Sequence, residues 1–219
     1  MPTQIIAGDN QNEASFVGAN DGAIKLRVGP AGSKADGISI SSSGNVDVLG
    51  ALTQGAGISV PRMQLGTAQA TTSGTSIDFT SVPSWANRIT VIMRGISLNG
   101  TSYPQLQIGS GSIQTTGYLC SGFFAGASNA VTGITSTSGF VTGAPSATNT
   151  TSGQIILTKL TGNTWVATTQ AGITNTNYGA VSGGDVTLSG TLDRLRLTTV
   201  NGTDTFDAGS INVLYEGYV

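Results

Sequence analysis

The chain has 219 residues, nine basic and eleven acidic side chains, a net charge of −2, one Cys and no His. This excludes Ser-His-Asp and Cys-His catalysis, an internal disulfide framework or Cys-based zinc site, and the basic stripe that nucleic-acid binding needs. Hydrophobic residues reach 38%, enough for a packed core, and no run of about 18 apolar residues is present to cross a membrane.

The few charges are also unevenly spread. Between Arg94 and Asp185 the sole charge is Lys159, whereas about a quarter of an ordinary soluble chain is charged. Ser, Thr, Asn, Gln and Gly must cover that surface. Such a surface suits a protein that works outside a cytosol, or one whose faces are covered by copies of itself. The start, MPTQIIAGDNQNEAS, lacks the basic and apolar regions of a secretory signal. Export-like composition without a leader is expected of a protein released by lysis as part of a virus particle.

Period-2 runs bounded by Gly, Asn, Ser and Pro occur throughout, and amphipathic helical spacing is absent, so the fold class is all-β. Residues 1–60 form a first region. DGAIKLRVGPAG sets Ile24, Leu26 and Val28 on one strand face and Lys25 and Arg27 on the other. GISI repeats the device with Ile38 and Ile40, and GNVDVLG with Val46 and Val48. About 60 residues of this kind bury too little surface alone. The expectation is a trimeric β stem in which three chains turn their aliphatic stripes toward an axis; the plainer alternative is a sheet packed on the next domain. Residues 61–66, closing the Gly-loosened stretch ALTQGAGISVPRMQLG, read as a connector.

Residues 67–219 read as an antiparallel, jelly-roll-like β-sandwich. Its clearest strands are SIDFT, RITVIMRGISL, QLQIG, QIILTKL, TWVATTQ, DVTLSG, DRLRLTTV and SINVLYEGYV. Asn99-Gly100 and Asn201-Gly202 carry hairpin signals, and Gly162-Asn163 implies another antiparallel pair. Residues 110–150 read as long loops with short strands. In RITVIMRGISL, Ile89, Val91 and Met93 oppose Ile92, Ile96 and Leu98, and in INVLYEGYV, Ile211, Val213 and Tyr215 oppose Leu214 and Tyr218. Apolarity on both faces implies that the outer face is covered too, preferably by a neighbouring subunit of a homotrimer.

Chemistry is sparse. A glycosidase needs two carboxylates, but only Asp78, Asp185, Asp193, Asp204, Asp207 and Glu216 lie beyond residue 60. Asp204 and Asp207 could hold Ca²⁺ with loop carbonyls, although turn-capping is the commoner use of such Asp. Arg194 and Arg196 share a strand face and suit a sulfate or sugar-acid, or, more commonly, a cross-strand carboxylate. No cofactor or metal is implied. Trp165 and Cys120 read as core. Tyr118 and Tyr178 are the candidate loop-tip contacts for a surface ligand, by stacking on a sugar ring. In IDFTSVPSWANRITV, Pro83 and Trp85 read as a structural corner, with Pro83 fixing φ and the indole closing the sandwich end.

The run GTSIDFTSVPSWANRITVIMRGIS and the terminal FDAGSINVLYEGYV resemble a C-terminal domain of tailed-bacteriophage fibre and virion-surface proteins. The stem's DGAIKLRVGPAG…GISISSSGNVDVLG is similar to phage tail-fibre anchor segments. The resemblance touches both ends of the chain and brings no catalytic residues with it. It implies a virion-surface protein without deciding between tail fibre, head fibre and capsid decoration protein. The leading expectation is a homotrimeric short fibre, bound to other virion proteins through its N-terminal segment and contacting a host-surface glycan. A capsid decoration or head-fibre protein is the alternative, and a polysaccharide depolymerase a lesser one.

Overall fold

The computed structural model describes residues 61–126 and 130–218, and within residues 1–60 five strands and Ser43. The chain divides into two compact units, residues 1–60 and Pro61–Tyr218.

In the first unit, β1 (Ile5–Ala7), β2 (Ala14–Gly18), β3 (Ile24–Val28), β4 (Ala35–Ile40) and β5 (Val46–Val48) form an antiparallel meander in chain order. Its register puts the predicted stripe into rows. Ile5, Phe16, Leu26, Ile38 and Val48 align across all five strands, and Ile24, Ile40 and Val46 align in the next row. Val28 stands opposite Ala35, beyond a register shift after Leu26. The register within a single chain therefore aligns these apolar positions.

The second unit is a sandwich of two antiparallel sheets. The larger has β13 (Val131–Ser136), β12 (Leu119–Ala125), β17 (Tyr178–Thr187), β16 (Thr164–Ile173), β15 (Thr151–Thr161), β9 (Ala86–Leu98), β19 (Phe206–Tyr218) and β6 (Pro61–Leu65) in that order, with β7 (Gln69–Ala70) also on β19. The smaller has β11 (Ser112–Ile113), β10 (Pro104–Ser110), β18 (Arg194–Thr199) and β8 (Ser76–Thr80), with β14 (Phe140–Val141) also on β10. One apolar core joins them: Ile77, Phe79, Leu106, Ile108, Leu195 and Leu197 from the small sheet meet Ile89, Val91, Ile155, Leu157, Trp165 and Val213 from the large one.

Counted inward from its ends, the unit pairs β9 with β19, β10 with β18, β12 with β17, and β15 with β16. These are the nested antiparallel pairs of a rolled-up hairpin, the jelly-roll-like feature of the fold. The layers divide unevenly, however. Six of the eight strands stay in the large sheet, and only β10 and β18 enter the small one.

Several expectations are corrected. The connector at 61–66 is instead strand β6, paired to β19 from Pro61↔Tyr218 to Leu65↔Leu214; an edge strand tolerates the N–H that Pro61 lacks. Strand β9 is not apolar on both faces along its length. Met93 and Ile96 span three residues while β15 advances by two, from Gly153 to Thr151, and β19 shows the same offset between Arg94 and Ser97. This bulge, with Gly95 at φ 60°, reverses the alternation. Ile96 and Leu98 thereby join Ile89, Val91 and Met93 in the core, leaving Ile92 outside. Asn99-Gly100 and Asn201-Gly202 are not hairpins: each carries the chain from one sheet to the other. Only Gly162-Asn163 closes a hairpin, β15 to β16. The described part of residues 110–150 holds four strands, one of them seven residues long.

Candidate functional site

The long strands of the sandwich run between the same two ends, and the register fixes which loops share an end. Pro61 pairs with Tyr218, and Gly217 pairs with Ala86, so the chain arriving from residues 1–60 enters beside Trp85. At the opposite end, Thr151 pairs with both Ile96 and Ile173, Tyr178 pairs with Ile173, and Ala125 pairs with Gly179 and Val131. The loops 99–103, 142–150, 174–177 and 200–205 therefore cluster at the far end from Pro61, with Gly126 beside them.

That loop end carries an aromatic trio. Tyr103, Phe124 and Tyr178 come from the loop after β9, the end of β12 and the start of β17. Phe124 lies 6.2 Å, centroid to centroid, from each of the other two. Phe124 also packs on Ile173, Ala144 and Ala180, so the trio closes this end of the core. Tyr178 remains 37% exposed, and its ring lies against Gly126, where a Cβ would strike it. Its position is therefore set before any ligand arrives, which lowers the ordering cost of a stacking contact.

The surrounding loops are stapled by uncharged groups. The Thr174 N–H donates to the Thr150 carbonyl at 2.7 Å, and the Thr150 N–H donates to Asn175 Oδ1 at 3.0 Å. The Thr150 and Thr174 hydroxyls meet at 3.0 Å, and Asn149 Nδ2 donates to the Ala144 carbonyl at 3.2 Å. This end thus offers rigid hydroxyls, amides and one accessible ring, the groups that hold sugars.

Of the two predicted contacts, Tyr118 is corrected. It is fully buried, edge-on to Phe140 at 5.0 Å. Its hydroxyl accepts the Ile108 N–H at 2.8 Å and reaches the carbonyls of Ile108 and Gln114 at 3.1 and 3.0 Å. An aromatic in a Gly/Ser/Thr tract reads as a loop tip, but β12 and β14 draw Tyr118 into the core. The missed residues are Phe124 and Tyr103. Phe124 is flanked by Phe123, and only the alternation of the unrecognised strand β12 separates the inward ring from the outward one.

The remaining candidates have structural partners. Asp204 holds the turn beside Asn99-Gly100: its carboxylate accepts from the Ser102 N–H at 2.8 Å and from Asn201 Nδ2 at 2.7 Å. The Asn201 amide bond, and then the Ser102 N–H, lower its pKa. Asp207 is exposed on β19, and among the described residues no three His, Cys, Asp or Glu gather as a metal site. Arg196 grips Asp78 of β8 through two bonds of 2.7 Å, the cross-strand pairing expected for that face. Arg194 bonds Asp193 at 2.7 and 3.1 Å. Trp165 is buried in the core.

Pro83 and Trp85 occupy the attached end. The Pro83 carbonyl accepts the Ala86 N–H at 2.9 Å. Trp85 is half-buried against the core, with the Arg62 guanidinium 5.1 Å over its ring, a cation–π contact. Nearby, a groove of about 570 Å³ is lined by residues including Arg62, Arg88, Lys159, Glu216 and Tyr218, with Arg88 and Glu216 paired at 3.7 Å.

The class of protein so defined is an all-β chain, with a small meander unit followed by an antiparallel β-sandwich. No known protein family matches the chain, and no curated protein is similar to it. Among solved structures, it is similar to the infectious bursal disease virus VP2 subviral particle at 9% identity and a TM-score of 0.17, over 100% of this chain and 75% of that one. A second similar structure is that of the virus's Gx strain, at 9% identity and a TM-score of 0.16, over 97% of this chain and 50% of that one. Likeness at that level defines neither fold nor function.

Proposed function

We propose that this chain is a structural protein of a tailed-bacteriophage particle, a homotrimeric short fibre that contacts the host surface through a glycan. Residues 1–60 are the anchor to another virion protein, and the loop end around Tyr178 is the contact. The observation that carries this reading is the polarity of the sandwich: the chain from residues 1–60 enters at the Trp85 end, while the uncharged loops and the exposed ring of Tyr178 lie at the other. An attachment protein needs that separation. The meander supports the stem, because its register aligns the apolar positions from Ile5 to Val48 and from Ile24 to Val46 in rows, the pattern three copies would need to pack against one another. The near absence of charge suits a glycan partner, which is recognised by stacking and neutral hydrogen bonds, not by a field.

The experiment is competition. Purified full-length protein should block adsorption of the phage that encodes it, and a neutral host polysaccharide should relieve the block. Unchanged adsorption, together with particles that lose heat resistance when the protein is missing, would assign it to capsid decoration instead.

A further inference from the structure

The cations of residues 61–218 are not evenly answered by acids. Six are present. Arg194 and Arg196 each hold a carboxylate through two bonds. Of the other four, Arg62, Arg88 and Lys159 line a single groove of about 570 Å³ at the Trp85 end, and Glu216 is the one acid in its lining. Glu216 meets Arg88 at 3.7 Å. Arg62 and Lys159 pair with no carboxylate among the described residues. In a chain of net charge −2, this groove gathers positive charge.

The register explains how the fold collects these groups. Met63 of β6, Glu216 of β19, Arg88 of β9 and Thr158 of β15 are successive partners across four strands. Their sequence neighbours Tyr215, Ile89 and Leu157 are buried in the core, so the row stands on the outer face of the large sheet. Arg62 joins it with its guanidinium over the Trp85 ring. Every residue of β6 is exposed, and large apolar groups stand beside the cations: Met63 is 70% exposed and Tyr218 56%. Arg, Met and Tyr are the residue types enriched where proteins meet, and Met adapts its shape to a partner.

We infer that this groove docks an acidic segment of another protein. Arg62, Arg88 and Lys159 take its Asp or Glu side chains by charge-assisted hydrogen bonds, and Met63 and Tyr218 take its apolar ones. The excess of cations draws in such a segment, whereas a neutral glycan has no use for them. The groove lies at the opposite end of the sandwich from Tyr178, so this docking and the host contact proposed there are separate claims.

A displayed library of random short peptides is selected on full-length wild type and counter-selected on Arg62→Gln/Lys159→Gln. The strongest peptide is then measured by fluorescence anisotropy against wild type, the double variant and Arg94→Gln, which removes a charge outside the groove. Lys159→Glu replaces the double variant if that does not fold. The inference predicts peptides enriched in Asp and Glu among apolar residues, with binding that weakens as salt rises. It also predicts at least about tenfold weaker binding to the double variant and a change within about twofold for Arg94→Gln. Peptides without acidic enrichment, or equal weakening in Arg94→Gln, overturn it. A sulfated disaccharide that displaces the peptide at equal concentration assigns the groove to a small anion and also overturns it. If wild type fails to block phage adsorption yet holds the acidic peptide through this groove, the host contact falls and the docking stands.

Discussion

Gly217 shows how strand β19 and the Trp85 turn constrain each other. It sits on β19 opposite Ala86, and a Cβ there would strike the Trp85 carbonyl oxygen. The obstacle is backbone, which cannot swing aside. Gly217→Ala should therefore cost about 2–3 kcal/mol, read as a lower denaturant midpoint at unchanged m-value; an unchanged midpoint would contradict this close approach. Trp85→Ala should cost about 2 kcal/mol, below the range for a fully buried Trp because the ring is half in water beneath Arg62. The sequence marks VPSW as a turn and YEGY as part of a strand. It does not show that they touch, because contact between strands 130 residues apart is set by sheet pairing. Tyr118 is the opposite lesson. Burial pushes its pKa up to about 12 from an ordinary 10.0, with the Ile108 backbone bond acting in the lowering direction. The unfolded chain releases that proton near pH 10 and the folded chain holds it, so its contribution is full below pH 10 and is lost as pH rises toward 12. Stability should fall by roughly 2–3 kcal/mol across that window, and Tyr118→Phe should flatten the fall. The same variant should cost about 1–3 kcal/mol at neutral pH, because the Ile108 N–H loses its acceptor.

At the scale of the element, the bulge in β9 decides which side chains are core. Strict alternation would send Ile96 and Leu98 to solvent and Ser97 inward. Gly95 accepts a left-handed conformation that other residues reach only with strain, and it supplies the extra residue that restores Ile96 and Leu98 to the core. Deleting Gly95 should abolish the near-ultraviolet circular dichroism of the core and move the protein to the insoluble fraction. A soluble deletion variant with an unchanged melting temperature would refute this role for the bulge. Seven of the eight strands expected in the sandwich are found with shifts of a few residues at their ends, because alternating runs of Ile, Val, Leu and Thr are legible without neighbours. The eighth, DVTLSG, is the end of a longer strand. Residues 178–184 of β17 and all of β12 are hidden in the sequence by glycines. Gly184 and Gly122 look like turn residues, but a Cβ at either would strike the backbone of the partner strand. They mark close approach inside a sheet, a meaning available only once the partner is known. Asn-Gly was similarly ambiguous: it specifies a tight reversal, but not whether the chain returns to the same sheet or crosses to the other.

For the whole molecule, the sandwich has one end where Pro61 enters and an opposite loop end, and the proposed function rests on this polarity. The sequence shows the low charge, the all-β class and the division near residue 60. The aromatic trio at the loop end was only partly legible, through Tyr178. Phe124 and Tyr103 reach it from loops and strands whose spatial order depends on the nested pairing of β9–β19, β10–β18, β12–β17 and β15–β16. The most direct test of the account compares wild-type protein and Tyr178→Ala as competitors of phage adsorption, with equal folding verified by melting temperature. The account predicts that wild type blocks adsorption and that Tyr178→Ala, equally folded, needs at least about tenfold more protein for the same block, one lost stacking contact. Equal potency of the two proteins would contradict it and move the host contact away from the loop end.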